Sequence, residues 1–75
     1  MIGIIGAMQD EVETLISDMN VEEKTEYASM IFHKGNLCGQ NVVIVKSGIG
    51  KVNAAICAQI LVDKFHVDKL INTGI

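Results

Sequence analysis

Ile2-Gly3-Ile4-Ile5-Gly6-Ala7-Met8-Gln9-Asp10-Glu11-Val12 is an apolar run that breaks on glycine and then turns acidic. The β-branched Ile2, Ile4 and Ile5 read as a buried strand. Val12, Leu15, Ile16 and Met19 then recur at helical spacing, with Asp10, Glu11 and Glu13 where acids complement the helix dipole. The stretch predicts a strand, a tight turn and a helix over residues 9–19. In open α/β sheets, ligands bind where the carboxyl end of a strand meets the amino end of a helix. Glu11 is the candidate functional residue of that junction, either as a carboxylate that takes a proton from water or as an ordinary dipole-complementing acid. Met8 beside it supplies an adjustable apolar wall.

Outward from this junction, residues 20–26 are polar and charged, and read as a solvated connection leading into an edge strand. In residues 27–37, Met30, Phe32 and Lys34 alternate with Ile31 and His33. Gly39-Gln40-Asn41 then offers a turn before Val42-Val43-Ile44-Val45, which predicts a β-hairpin. The second strand is apolar on both faces and belongs inside the sheet, whereas the first sits nearer an edge. Val52, Ala55, Ile56, Gln59 and Ile60, with small Ala54 and Ala58, predict a second helix over residues 51–65. A short strand follows over residues 68–73, centred on Leu70 and Ile71, so that the helix between the last two strands is the crossover of a βαβ unit. The order β-α-β-β-α-β, with a hairpin among parallel strands, defines an α/β fold with a mixed central sheet covered by helices.

The chain has 75 residues, 49% of them hydrophobic, with one tyrosine and two phenylalanines. A chain of this length buries only roughly 60% of its unfolded surface, so the core is thin and built from Ile, Val, Leu, Met and Ala. Nine acids against six lysines give a net charge of −3, and there is no arginine. That balance makes no case for nucleic acid or an anionic membrane surface. Cys38 and Cys57 lie far apart and form neither a Cys-x-x-Cys pair nor a metal-type cluster, which fits a reducing cytoplasm. The amino terminus lacks a positive region and runs into carboxylates, unlike a signal peptide, and no apolar run reaches membrane-spanning length. The last strand ends on Thr73-Gly74 with nothing after Ile75 to cover it, so residues 1–75 are expected to be the amino-terminal part of a single, longer domain.

The glycine turn after Lys46 invites comparison with two phosphate-binding motifs. Gly48-Ile49-Gly50-Lys51-Val52-Asn53 carries Asn53 where the dinucleotide fingerprint requires glycine. Gly50-Lys51 is followed by Val52 where a P-loop requires Ser or Thr. Both motifs fail. What remains is a strand-to-helix turn, with Ser47 as a candidate cap, that either only permits a sharp bend or brings backbone amides to a ligand. Lys51 opposes the dipole there and either pairs with an acid or reaches outwards. His33 and His66 are isolated, and no cluster has metal-ligand spacing.

Residues 2–12, Lys46-Ser47-Gly48-Ile49-Gly50-Lys51-Val52-Asn53-Ala54-Ala55 and Ile71-Asn72-Thr73-Gly74, in this order and spacing, resemble the bacterial 5'-methylthioadenosine/S-adenosylhomocysteine nucleosidases of the nucleoside phosphorylase and hydrolase superfamily. The resemblance covers all 75 residues but only the first third of a family member. It implies a three-layer α/β/α nucleoside phosphorylase-like fold, a cytoplasmic homodimer and hydrolysis of the adenine-ribose bond in methionine salvage, with no metal or organic cofactor. By position, Glu11 matches the general base, and Met8 and Ile49 match residues lining the ribose and 5'-thioalkyl region. The acid that protonates adenine N7, the ribose-gripping glutamate and the aromatic stacking partner lie beyond residue 75 in the family, so the 75 residues alone are expected to be inactive. Ile75 stands where the family places a small residue. Phosphorylases of the superfamily usually hold phosphate with arginine in this half, so its absence here favours hydrolysis. The alternatives are a phosphorylase of the same superfamily and a small nucleoside-binding module without catalysis.

Overall fold

The structure, a computed structural model, describes residues 1–47 and 51–73, with only the backbone of residues 51–53. Strand β1 (Ile2–Gly6) is the centre of the sheet. It pairs in parallel with β4 (Gln40–Lys46) on one side and with β5 (Lys69–Thr73) on the other. Two further strands, β2 (Asn20–Tyr27) and β3 (Met30–Leu37), add antiparallel to β4, giving the order β2-β3-β4-β1-β5. The sheet is therefore mixed and five-stranded, as the hairpin among parallel strands required, with one strand more than the sequence order predicted.

Helices α1 (Gln9–Asp18) and α2 (Lys51–Phe65) cover opposite faces, because successive strand residues point to opposite sides. Ile4, Val42 and Ile44 pack with Val12 and Met19 on the α1 face. Ile5, Val43, Val45 and Phe32 pack with Cys57, Leu61 and Val67 on the α2 face. Val42, Val43, Ile44 and Val45 are all buried, which places β4 inside the sheet as its two apolar faces predicted. Phe32 anchors the thicker side, 5.9 Å edge-on from Tyr27 and stacked 5.5 Å from Phe65. Cys57 donates its thiol to the Met30 sulfur at 3.1 Å, and burial pushes its pKa up, whereas Cys38 is exposed.

Several boundaries differ from the sequence reading, among the smallest that of β5, which starts at Lys69 and not at Asp68. Residues 20–26 are not a connection but most of edge strand β2, half-buried only at Val21, Thr25 and Tyr27 and solvated elsewhere. A β-bulge between Val21 and Glu23 lays the β2 backbone over Gly35, where any Cβ would strike the Asn20 carbonyl. The β3–β4 turn is Cys38-Gly39, not Gly39-Gln40-Asn41, and the β2–β3 turn is Ala28-Ser29. All four residues have positive φ (53°, 83°, 51° and 65°), the conformation that matches the twist of a tight hairpin. Helix α1 ends one residue before Met19, which caps it through an N–H to the Ile16 carbonyl and is buried. Helix α2 spans its predicted residues and is closed by His66 in the left-handed conformation (φ 56°), its N–H on the Val62 carbonyl at 3.2 Å.

No helix among the described residues is long and apolar enough to cross a membrane.

Candidate active site

Parallel pairing puts the carboxyl ends of three strands in one row, because Gly6 of β1 lies opposite both Lys46 of β4 and Thr73 of β5. The row continues past the strands. The Ser47 N–H donates to the Gly6 carbonyl at 2.9 Å, the Ala7 N–H to the Thr73 carbonyl at 3.4 Å, and the Thr73 hydroxyl to the Ile5 carbonyl at 3.5 Å. The junctions that the sequence analysis singled out, after Gly6, after Lys46 and at Thr73, thus share one edge although far apart in the chain.

Helix α1 starts on this edge. Met8, extended at φ −112° and ψ 136°, is its N-cap residue and supplies no side-chain hydrogen bond. The Val12 N–H closes the first turn on the Met8 carbonyl at 3.2 Å, leaving the earlier amides pointing outward from the positive end of the helix dipole. Within this turn Val12 turns inward and is buried, while Glu11 and Met8 are exposed, Met8 by 59%. The neighbouring acid Glu13 is engaged, accepting from Gln9 Nε2 at 2.6 Å. Glu11 is therefore an exposed carboxylate in the first turn of α1, with the exposed Met8 at the N-cap of the same helix. Ile49, the other predicted lining residue, and the glycines Gly48 and Gly50 lie outside the described residues.

A cleft of about 620 Å³ opens between α1 and β3, lined by Val12, Glu13, Ile16, Ile31, His33 and Lys46 among others. Neither Glu11 nor Met8 lines it, so the volume and the predicted chemistry do not coincide. The edge, not the cleft, has the geometry expected of a ligand site in a parallel α/β sheet. Among the described residues, no group of His, Cys, Asp and Glu has the arrangement to hold a metal ion.

His33 borders the cleft with Nδ1 buried and unpartnered among the described residues. Burial holds its pKa below 6.5; the Ile44 backbone opposes that shift and the charge of Lys24 reinforces it. The folded state then binds fewer protons than the unfolded chain, so His33 contributes stability above pH 6.5 that is lost as pH falls through that value towards the depressed folded one. The urea midpoint of wild type should therefore fall relative to that of His33→Gln as pH falls from about 7.5 to about 5.5. A constant difference between them would show that His33 titrates alike in both states.

The described residues form a three-layer α/β arrangement in which the carboxyl ends of parallel strands share one edge, the class of fold in which small ligands bind at such an edge. Comparison with known proteins is consistent with that class. The family model of the Phosphorylase superfamily matches residues 1–75, and the chain belongs to that superfamily. It is 53% identical over 72 residues to the 5'-methylthioadenosine/S-adenosylhomocysteine nucleosidase of Colwellia psychrerythraea, covering 96% of this chain and 30% of that protein. The crystal structure of the Colwellia nucleosidase in complex with adenine superposes with a TM-score of 0.91 at 52% identity, over 97% of this chain and 30% of that one. The S. pneumoniae nucleosidase with the transition-state inhibitor MT-ImmA gives 0.90 at 42% identity, over 97% of this chain and 32% of that one. The chain thus spans about 30% of the length of the curated relatives it matches.

Proposed function

We propose that residues 1–75 are the amino-terminal part of a single 5'-methylthioadenosine/S-adenosylhomocysteine nucleosidase domain, and that Glu11 is its general base. The observation that carries this reading is the position of Glu11. It is an exposed carboxylate in the first turn of α1, at the edge where three parallel strands end, in a chain 53% identical over 72 residues to such a nucleosidase.

The chemistry asks for that arrangement. Breaking an N-glycosidic bond builds positive charge on the ribose, so the site must stabilise an oxocarbenium-like sugar, protonate the leaving base and hold a water on the opposite face. Glu11 serves twice, taking the proton of the attacking water and offering negative charge to the sugar. Met8 and Ile49 line the ribose and thioalkyl end. The acid for the leaving adenine, the ribose-binding glutamate and the stacking aromatic come from segments beyond these 75 residues. The enzyme works as a cytoplasmic homodimer in methionine salvage, without metal or cofactor. The exposed Ile56 and Val62 of α2 support a partner surface.

The test is adenine release from methylthioadenosine by the full-length enzyme and by residues 1–75 alone, with and without phosphate. Phosphate-independent turnover by the full-length enzyme and none by the 75 residues is the expected result. Absence of turnover by the full-length enzyme sinks the assignment. A requirement for phosphate would make it a phosphorylase, with Lys46, a cation at the same edge, as a candidate phosphate ligand.

A further inference from the structure

We propose that Gly6 and Val12 are a positioning pair, in which the bare backbone of Gly6 lets Val12 seat on the end of β1 and so sets where the first turn of α1 holds Glu11. The inference rests on the reading of Glu11 as the base. A Cβ at Gly6 would overlap Val12 Cγ2, with Val12 Cβ at 3.8 Å and Thr73 Oγ1 at 3.5 Å. Among the described glycines only Gly39 has positive φ, so Gly6 is needed for space and not for its backbone angles.

The strand is the partner that cannot yield. Gly6 pairs with Lys46 on one side and Thr73 on the other, and its carbonyl accepts the Ser47 N–H at 2.9 Å. The helix is held more lightly. Its N-cap residue Met8 makes no side-chain hydrogen bond, and the bond that closes its first turn is the one from Val12 to Met8. Val12, only 3% exposed, is therefore both the anchor of that turn and the residue next to Glu11. A methyl group added at Gly6 lifts the turn and carries Glu11 off its water. A displacement of about 1 Å at a catalytic group costs on the order of 10²-fold in rate.

The pair is tested in the full-length enzyme with methylthioadenosine as substrate. Gly6→Ala should lower kcat by about 10- to 10²-fold with KM changed less than about threefold, and Gly6→Ala/Val12→Ala should recover much of the loss by making room. Val12→Ile adds bulk from the helix side and should lower kcat in the same way, so it carries the test if Gly6→Ala does not fold. Gly3→Ala is the control. Its Cβ crowds Leu61 at 3.0 Å and Leu70 at 3.1 Å on the opposite face, and it should lower the melting temperature while sparing kcat. Unchanged kcat in folded Gly6→Ala, equal loss in Gly3→Ala, or no recovery in the double variant overturns the proposal. Glu11→Gln, assayed in parallel, separates the two readings. If it loses turnover while Gly6→Ala does not, the base stands and the positioning pair falls. If it keeps turnover, the base reading itself fails.

Discussion

With Glu11 as the proposed base, Glu11→Gln in the full-length protein should reduce kcat by about 10²- to 10⁴-fold, because the amide keeps the shape of the side chain and loses the proton acceptor. The magnitude distinguishes the base from an acid that only complements the helix dipole. Losing a first-turn charge costs about 0.3–1 kcal/mol of helix stability and leaves the chemistry of the folded enzyme alone. Removing a base raises the barrier by about 3–5 kcal/mol, the equivalent of that fall in rate. Steady-state adenine release, with thermal melts of the same samples, separates the two. Near-normal kcat with a slightly lower melting temperature would return Glu11 to an ordinary helix-start residue.

Phe32→Ala is the substitution expected to damage the fold most. Phe32 is fully buried on the α2 face, stacked on Phe65 with 24° between the rings and edge-on to Tyr27. Truncating a buried phenylalanine costs about 3–5 kcal/mol, the lost transfer energy plus the cavity left behind. Small domains hold only about 5–15 kcal/mol in total, so this loss is a large share of the whole. Denaturant unfolding followed by circular dichroism should show the lower midpoint. A loss under about 1 kcal/mol would mean that Tyr27 and Phe65 collapse into the space. Phe32 and Glu11 lie in different parts of the molecule, so one variant should lose stability and the other turnover.

The elements that were legible in the sequence are those whose burial leaves a pattern. β1 and β4 carry β-branched residues on both faces because helices cover both sides, and α1 and α2 show their inward residues at helical spacing. β2 left no such pattern. One side of its backbone pairs with β3 and the other has no strand partner among the described residues, and Glu22, Glu23, Lys24 and Glu26 keep it wet, so its hydrogen bonds and not its side chains make it a strand. Ala28-Ser29 hid the β2–β3 turn for a related reason. Neither residue favours positive φ, and the strands on either side impose it. The strand-turn-helix boundary that carries Glu11 and Met8 was readable because it is a local event. The role of Gly6 was not. A missing Cβ acquires meaning only from the side chain that occupies its place, and that Val12 does so follows from the angle at which α1 returns over β1.

The central place of β1 also governs the order in which the molecule is assembled. β2, β3 and β4 are joined by two-residue turns and can zip together locally, at little loop-closure cost. β1 has no such neighbour. Ile2 finds its partners only at Val42 and Lys69, so β1 is fully paired only after β5 has been made. Until β5 has been synthesised, an apolar strand with an open edge must be kept from pairing with another chain. The edge that carries Glu11 is therefore assembled only after all five described strands have been made.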